Sequence, residues 1–154
     1  MKIFISLIAA CLMMVSFNVV QAADAPTEKL TVISAKDGSK HDFDVEIADT
    51  PTDREIGLMY RTMMDPDHGM LFEMEQNAVV QFWMKNTLIP LDMVFVASDG
   101  TIKAIHADAI PQDLTGISSE APVTGVIELN GGRAKALGLA VGDKVVHPYF
   151  HDVK

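Results

Sequence analysis

The chain has 154 residues and carries 21 acidic against 12 basic side chains, a formal charge of −9. That excess of acid excludes nucleic-acid backbones and anionic lipid surfaces as natural partners. The one cysteine, Cys11, falls in an apolar leader, so the rest of the chain has no disulfide, thiol nucleophile or thiolate ligand to draw on.

Lys2 followed by the nearly continuous apolar run from Ile3 to Val20 reads as a signal peptide. Val20-Gln21-Ala22 places small residues at −3 and −1, which predicts a cut after Ala22. Asp24 and Glu28 end the membrane-compatible stretch and favour removal over a retained anchor. Ile8-Ala9-Ala10-Cys11 resembles a lipidation box, but cleavage there would leave too short an apolar core. The expected mature protein is periplasmic or secreted and keeps no membrane anchor. Losing Lys2 with the leader takes its charge to −10, eleven basic against twenty-one acidic groups. Residues 23–29 read as a flexible lead-in and 30–154 as a single domain, large enough to bury a core.

In chain order, Leu30 and Val32, then Phe43, Val45 and Ile47, alternate with polar residues about an Asp37-Gly38 turn, which predicts a hairpin. Thr50 to Met64 reads as a helix. Thr50 caps it, Pro51 suits its first position and Asp53 completes a capping pair. Ile56, Met59, Tyr60 and Met63 then form one apolar face. Gly57 inside that helix costs about 1 kcal/mol relative to Ala and points to a close approach by another group. Short apolar runs over Gly69–Met74, Ala78–Lys85 and Leu91–Ala97 read as strands. Ser98-Asp99-Gly100 is a hairpin turn leading to another, and Ala109–Gly125 a polar loop. Val126–Leu129 is a strand. A short helix closed by Gly138 as a left-handed cap, a turn at Gly142-Asp143 and a last strand complete the chain. Hairpin-linked strands outnumber helices. The expected fold is mainly β, an antiparallel sandwich or small barrel-like domain whose open ends two short helices cover.

"FWMKNTLIPLD", Phe82 to Asp92, is the most unusual stretch. Alternation puts Val80, Phe82 and Met84 on a core face, and Gln81, Trp83 and Lys85 on an amphipathic one. Beyond Pro90, Asp92 stands among apolar neighbours. A buried carboxylate there needs a partner, and Lys85, Arg61 and Arg54 are the candidates.

"GLMYR" (57–61), "HGMLFEM" (68–74), "FWMKNTLIPLDMVF" (82–95) and "VIELNGGRAKALGLAVGDKVV" (126–146) are similar to the domain of unknown function 192 family. The resemblance runs from about Leu30 to Val146. On its pattern Met59, Arg61, Gly69, Met70, Trp83, Met84, Lys85, Asn86, Thr87, Pro90 and Asp92 are the motif positions. It implies a compact, mainly β domain and no established activity.

A ligand-binding reading comes first. Trp83 is a stacking platform, and Arg61, Lys85, Asn86, Thr87 and Asp92 are convergent polar groups for a small polar ligand or an envelope protein. The bland counterpart has Asn86, Thr87 and Pro90 fastening a turn, Lys85 pairing with Asp92, and Trp83 packing on the helix. An envelope-acting hydrolase using the same cluster, with Lys85 or Glu73 beside Asp92, is the alternative. No nucleophile elbow, zinc-protease helix, phosphate loop or dinucleotide fingerprint is present, so no catalytic residue and no cofactor is assigned. The seven methionines from Met59 to Met93 invite a copper(I) role, and core filling is the commoner use. Asp65, Asp67 and His68 lack the spacing of a calcium loop. His41, His106, His147 and His151 read as surface or tail residues, so no metal site is expected.

Overall fold

The computed structural model describes residues 26–150. The predicted leader with its cut after Ala22, Cys11, the first lead-in residues and His151 lie outside the described residues.

Nine strands and two short helices follow one another as β1 (Thr27–Ile33), β2 (Lys40–Ala48), α1 (Pro51–Ile56), β3 (His68–Ala78), β4 (Gln81–Phe82), β5 (Leu91–Val96), β6 (Ile102–Ala109), β7 (Ile117–Ser118), β8 (Val123–Asn130), α2 (Arg133–Leu137) and β9 (Lys144–Val146). Seven strands make one strongly curled half-barrel sheet in the order β6-β5-β8-β3-β2-β1-β9, and β4 pairs with β7 in a separate ribbon. The domain is therefore mainly β and barrel-like, with two short helices, as expected. β1 begins at Thr27, inside the stretch expected as a lead-in, because Thr27 to Lys29 already pair with Glu46 to Asp44.

The neighbouring pairs are antiparallel except β2 and β3, which run parallel with α1 in the crossover between them. A parallel pair cannot be joined by a tight turn, so a long connection is obligatory here. The two edges of the sheet nearly meet. Thr101 bridges Lys144, the Ile102 N–H donates to Asp143 O at 2.9 Å, and the Val145 N–H to Gly100 O at 2.7 Å. Joining the edges removes the free strand groups that would otherwise seek another chain.

The curl gives the sheet two apolar faces, each with its own cluster. Leu30, Val32, Phe43, Val45, Leu71, Val94, Ile127 and Val145 fill the inside of the barrel, and Ala134, Leu139 and Phe150 pack onto them. On the outer face Phe72, Leu91, Met93, Phe95 and Val126 meet Leu58 and Met84 from the connecting segments. β5 contributes to both clusters, so all six of its residues are buried. Phe150 sits so close to β8 that a Cβ at Gly125 would lie 2.6 Å from its ring, which requires glycine there.

The helix expected over Thr50–Met64 is only one and a half turns long. Its start is as read from the sequence: Thr50 Oγ1 accepts the Asp53 N–H at 3.1 Å, and Pro51 opens the helix. Its end is not. Gly57 takes φ +49°, ψ −133° and stops the helix, because the Phe72 ring occupies the space a Cβ would need, 3.0 Å away. The supposed apolar face therefore never forms: Ile56, Tyr60 and Met63 are all exposed, and Leu58 alone of this stretch is fully buried. α2 keeps its predicted left-handed Gly138 cap, with φ +71°.

Candidate functional site

On the outer face, between the loop that follows α1 and the segment that carries β4, a cleft of about 390 Å³ opens onto the sheet. Phe72 and Met74 of β3 and Glu128 of β8 lie at its floor, Leu58 and Phe82 form walls, and Trp83 stands at its rim. Strand alternation dictates this floor. Val126 and Glu128 face outward, whereas Ile127 and Leu129 face the barrel interior. Gly57 brings the α1 loop down onto the floor, where a Cβ would stand 4.0 Å from Glu128 Oε2.

Glu128 is the chemically unusual group. It is 5% exposed, and burial alone pushes its pKa from the ordinary 4.5 up to about 8. No hydrogen bond or neighbouring charge among the described residues opposes that shift. At neutral pH the carboxyl is mostly protonated, a poised donor at the floor of an apolar cleft. The sequence reading missed it. Its signal was an acidic residue between Ile127 and Leu129, in the middle of an otherwise apolar strand.

The other buried acidic residue on this face is neutralised. Cross-strand register places Met70 opposite both Glu46 and Glu128, so the two carboxyls flank one methionine. Glu46 is buried, but it receives Arg61 Nη2 at 2.6 Å and hydrogen-bonds His68 Nε2 at 2.7 Å. Arg54 also lines the cleft, with its guanidinium already engaged: Nη1 donates to Asp49 O and to Glu73 O, and Nη2 contacts Glu75 at 2.7 Å.

The six expected site residues separate. Trp83, 49% exposed, and the buried Thr87 line the cleft. Lys85 sits beside it, its Nζ 5.0 Å from the Trp83 ring centroid in a cation–π contact. Asn86 fastens the mouth. Its carbonyl accepts the Tyr60 N–H and its Nδ2 donates to Tyr60 Oη, both at 2.9 Å. Tyr60 and Asn86 both have positive φ, +65° and +56°, a conformation that costs of order 1 kcal/mol for a non-glycine residue. The clasp holds the two walls of the cleft together.

Arg61 and Asp92 do not line the cleft. Arg61 serves Glu46. Asp92 is fully buried on β5 and takes neither Lys85 nor an arginine. Its carboxylate accepts three backbone N–H groups, those of Asp108 at 2.8 Å, Gly132 at 2.9 Å and Ala134 at 2.7 Å. A carboxylate at the start of α2 is favoured by the orphan amides there. The Lys85–Asp92 pair expected of a purely structural turn is thus replaced by a side chain-to-backbone anchor. Glu73, the other suggested hydrolase partner, has its pKa raised by burial and by the charges of Asp49 and Glu28.

Of the seven methionines, Met70, Met84 and Met93 are core, and Met64 and Met74 pack against it. Met84 takes the core position expected for it and Met93 is buried on β5, whereas Met63 is exposed because the long helix is absent. Asp67 pairs with Arg133, and the described residues contain no group of three or more His, Cys, Asp or Glu able to hold a metal. His147 is buried rather than a surface residue, with Nε2 3.2 Å from Glu28; burial lowers its pKa.

Residues 32–147 match the family model DUF192, described as "Uncharacterized ACR". A crystal structure of a Sinorhizobium meliloti 1021 protein, provisionally named a transcription regulator, is 48% identical with a TM-score of 0.77, covering 82% of this chain and 97% of its own. A protein of unknown function from Novosphingobium aromaticivorans DSM 12444 is 38% identical with a TM-score of 0.75, covering 79% and 85%. No curated protein matches. Matched over three quarters of its length and by a structural relative at 48% identity, the chain belongs to the domain of unknown function 192 family.

Proposed function

We propose that this is an exported binding domain that captures a small ligand in the cleft beneath Trp83. The observation that carries the reading is the pairing of an aromatic-walled cleft with a buried, unpartnered carboxyl, Glu128, at its floor. Ligand sites combine an apolar lining with a few placed polar groups, and this cleft has that composition. Trp83 and Thr87 form the ligand-facing part of the Phe82–Asp92 segment, with Lys85 beside them on the Trp83 ring. Asn86 holds its mouth, while Asp92 and Arg61 hold the framework. The apolar leader and the cysteine-free remainder support an envelope location.

The decisive experiment is a thermal-shift screen of the protein without its leader against sugars, peptides, organic acids, amines and metals. A compound that raises the melting temperature of the native protein but not of Trp83→Ala, in a variant that still folds, locates the site. An envelope protein as the ligand is the outcome supported if no small molecule shifts the melting point and a peptide does.

A hydrolase is the second reading, now centred on Glu128. A carboxyl protonated near neutral pH is suited to general-acid work. Turnover of an envelope polymer that Glu128→Gln abolishes would move the protein into that class. The name given to the Sinorhizobium relative suggests DNA, but 21 acidic against 12 basic side chains argue against a phosphate backbone as the partner here.

A further inference from the structure

The geometry points to an organic cation as the ligand: an ammonium group on a small aromatic or apolar body, seated on Glu128 between the rings of Phe72, Phe82 and Trp83. This rests on the ligand-binding reading and names its chemistry.

Several observations converge on it. Phe72 and Phe82 meet edge to face with centroids 5.1 Å apart, and both line the cleft with Trp83 above them. Aromatic faces carry negative quadrupoles and attract cations, most strongly once both are desolvated. The Trp83 ring already demonstrates the preference, holding the protein's own ammonium from Lys85 at 5.0 Å. Glu128 supplies the opposite charge. It is more than nine-tenths buried and has no partner among the described residues.

Of the three basic groups nearby, Lys85 rests on the Trp83 ring at the rim, and the two arginines are already engaged. Arg54 is shared among two carbonyls and Glu75, and Arg61 is committed to Glu46. The chain's charge of −9 raises the local concentration of cations and repels carboxylates.

Occupation has a proton balance that can be measured. Free Glu128 holds its proton at neutral pH, because burial raises its pKa to about 8. A bound ammonium group favours the carboxylate instead. The carboxyl O–H therefore gives its proton to the buffer, and the carboxylate pairs with the ligand's N–H donors. No covalent bond to the ligand forms or breaks.

Isothermal titration calorimetry at pH 7 with phenethylamine, 2-phenylethanol and phenylacetate separates the possibilities, each run in phosphate and in MOPS. Phenethylamine is expected to bind roughly tenfold more tightly than either companion. Its heat is expected to differ between buffers by close to one proton's ionisation, the fraction of Glu128 that is protonated. Glu128→Gln should abolish both the proton release and the preference for the amine, while Trp83→Ala weakens all binding. Equal or tighter binding of the alcohol or the acid overturns the cation and keeps the cleft as a site. So does amine binding without proton release. If none of the three binds while another screened compound binds in a Trp83-dependent way, the cation alone is overturned. If nothing binds at all, both readings fall.

Discussion

The buried carboxylate of Asp92 on β5 accepts the Ala134 N–H at 2.7 Å across 42 positions of sequence, and so ties the start of α2 to the strand next to the β6 edge of the sheet. Two further N–H groups, from Asp108 and Gly132, share its oxygens. Asp92→Ala strands the buried Ala134 donor and the part-buried donors of Asp108 and Gly132, where an unsatisfied buried group costs about 1–3 kcal/mol and a part-buried one less. Urea denaturation should show a loss of about 4 kcal/mol for the variant. Asp92→Asn, which keeps an acceptor, should lose less. A loss under about 1 kcal/mol for the alanine variant would contradict the anchor role.

Arg61 is expected to matter for folding and not for binding. Its removal leaves Glu46 with His68 alone. Partial exposure of the arginine softens the cost of cutting a buried pair, so Arg61→Ala should lose about 2 kcal/mol in the same measurement. Affinity for any ligand that depends on Trp83 should stay unchanged. A parallel fall in affinity would return Arg61 to the site.

Lys85→Met gives the opposite pattern. Lys85 is exposed and rests on the Trp83 ring, a contact worth about 0.5–1 kcal/mol at such sites. The chemical denaturation midpoint should barely move. A loss of several kcal/mol would mean that the lysine neutralises a buried charge after all.

Gly57→Ala tests the join between helix and cleft. Its φ of +49° with ψ −133° is poorly open to residues with a Cβ, and the added carbon would press on Phe72 at 3.0 Å. A cost of about 2 kcal/mol is expected from the backbone strain alone. The displaced Phe72 ring should also narrow the cleft and weaken binding. Serial substitution separates the two effects: a Phe72→Leu background should relieve the steric part and leave the strain.

Glu128 should give the protein a distinctive pH dependence. The folded pKa is raised from 4.5 to about 8, so the unfolded chain loses this proton first as pH rises. Below about pH 4.5 both states hold the proton and the group costs nothing. Between 4.5 and 8 the folded state is progressively disfavoured, by on the order of 3 kcal/mol at pH 7. Glu128→Gln, lacking the titration, should therefore be more stable than the native chain at pH 7 to 9 and lose that advantage toward pH 4. Equal stability of the two proteins from pH 4 to 9 would show that the carboxyl is not desolvated.

The sequence by itself determined most of the strands, the β1–β2 turn, the capped start of α1 and the Gly138 end of α2. These depend on neighbours within a few positions, where alternation, capping pairs and glycine conformation act directly. The strand expected over Ala78–Lys85, however, is reduced to Gln81–Phe82, with Ala78 ending β3. Trp83 is exposed and Met84 buried as the alternation expected. Yet the backbone leaves the strand after Phe82 and a turn follows, so the period of two is not what sets them there. The sequence could not set the length of α1. The apolar spacing of Ile56, Met59, Tyr60 and Met63 argues for a longer helix, and only the Phe72 ring against Gly57 ends it. The partners of charges were equally out of reach. Asp92 chose backbone amides 16 to 42 positions away over Lys85 seven positions back. Arg61 chose Glu46 through the parallel pairing of β2 with β3, which brings His68 alongside. Glu128 became the floor of a cleft because a curled sheet turned that face outward and left no donor near it. Local pattern fixes which way a side chain points, and only the assembled sheet decides what it meets there.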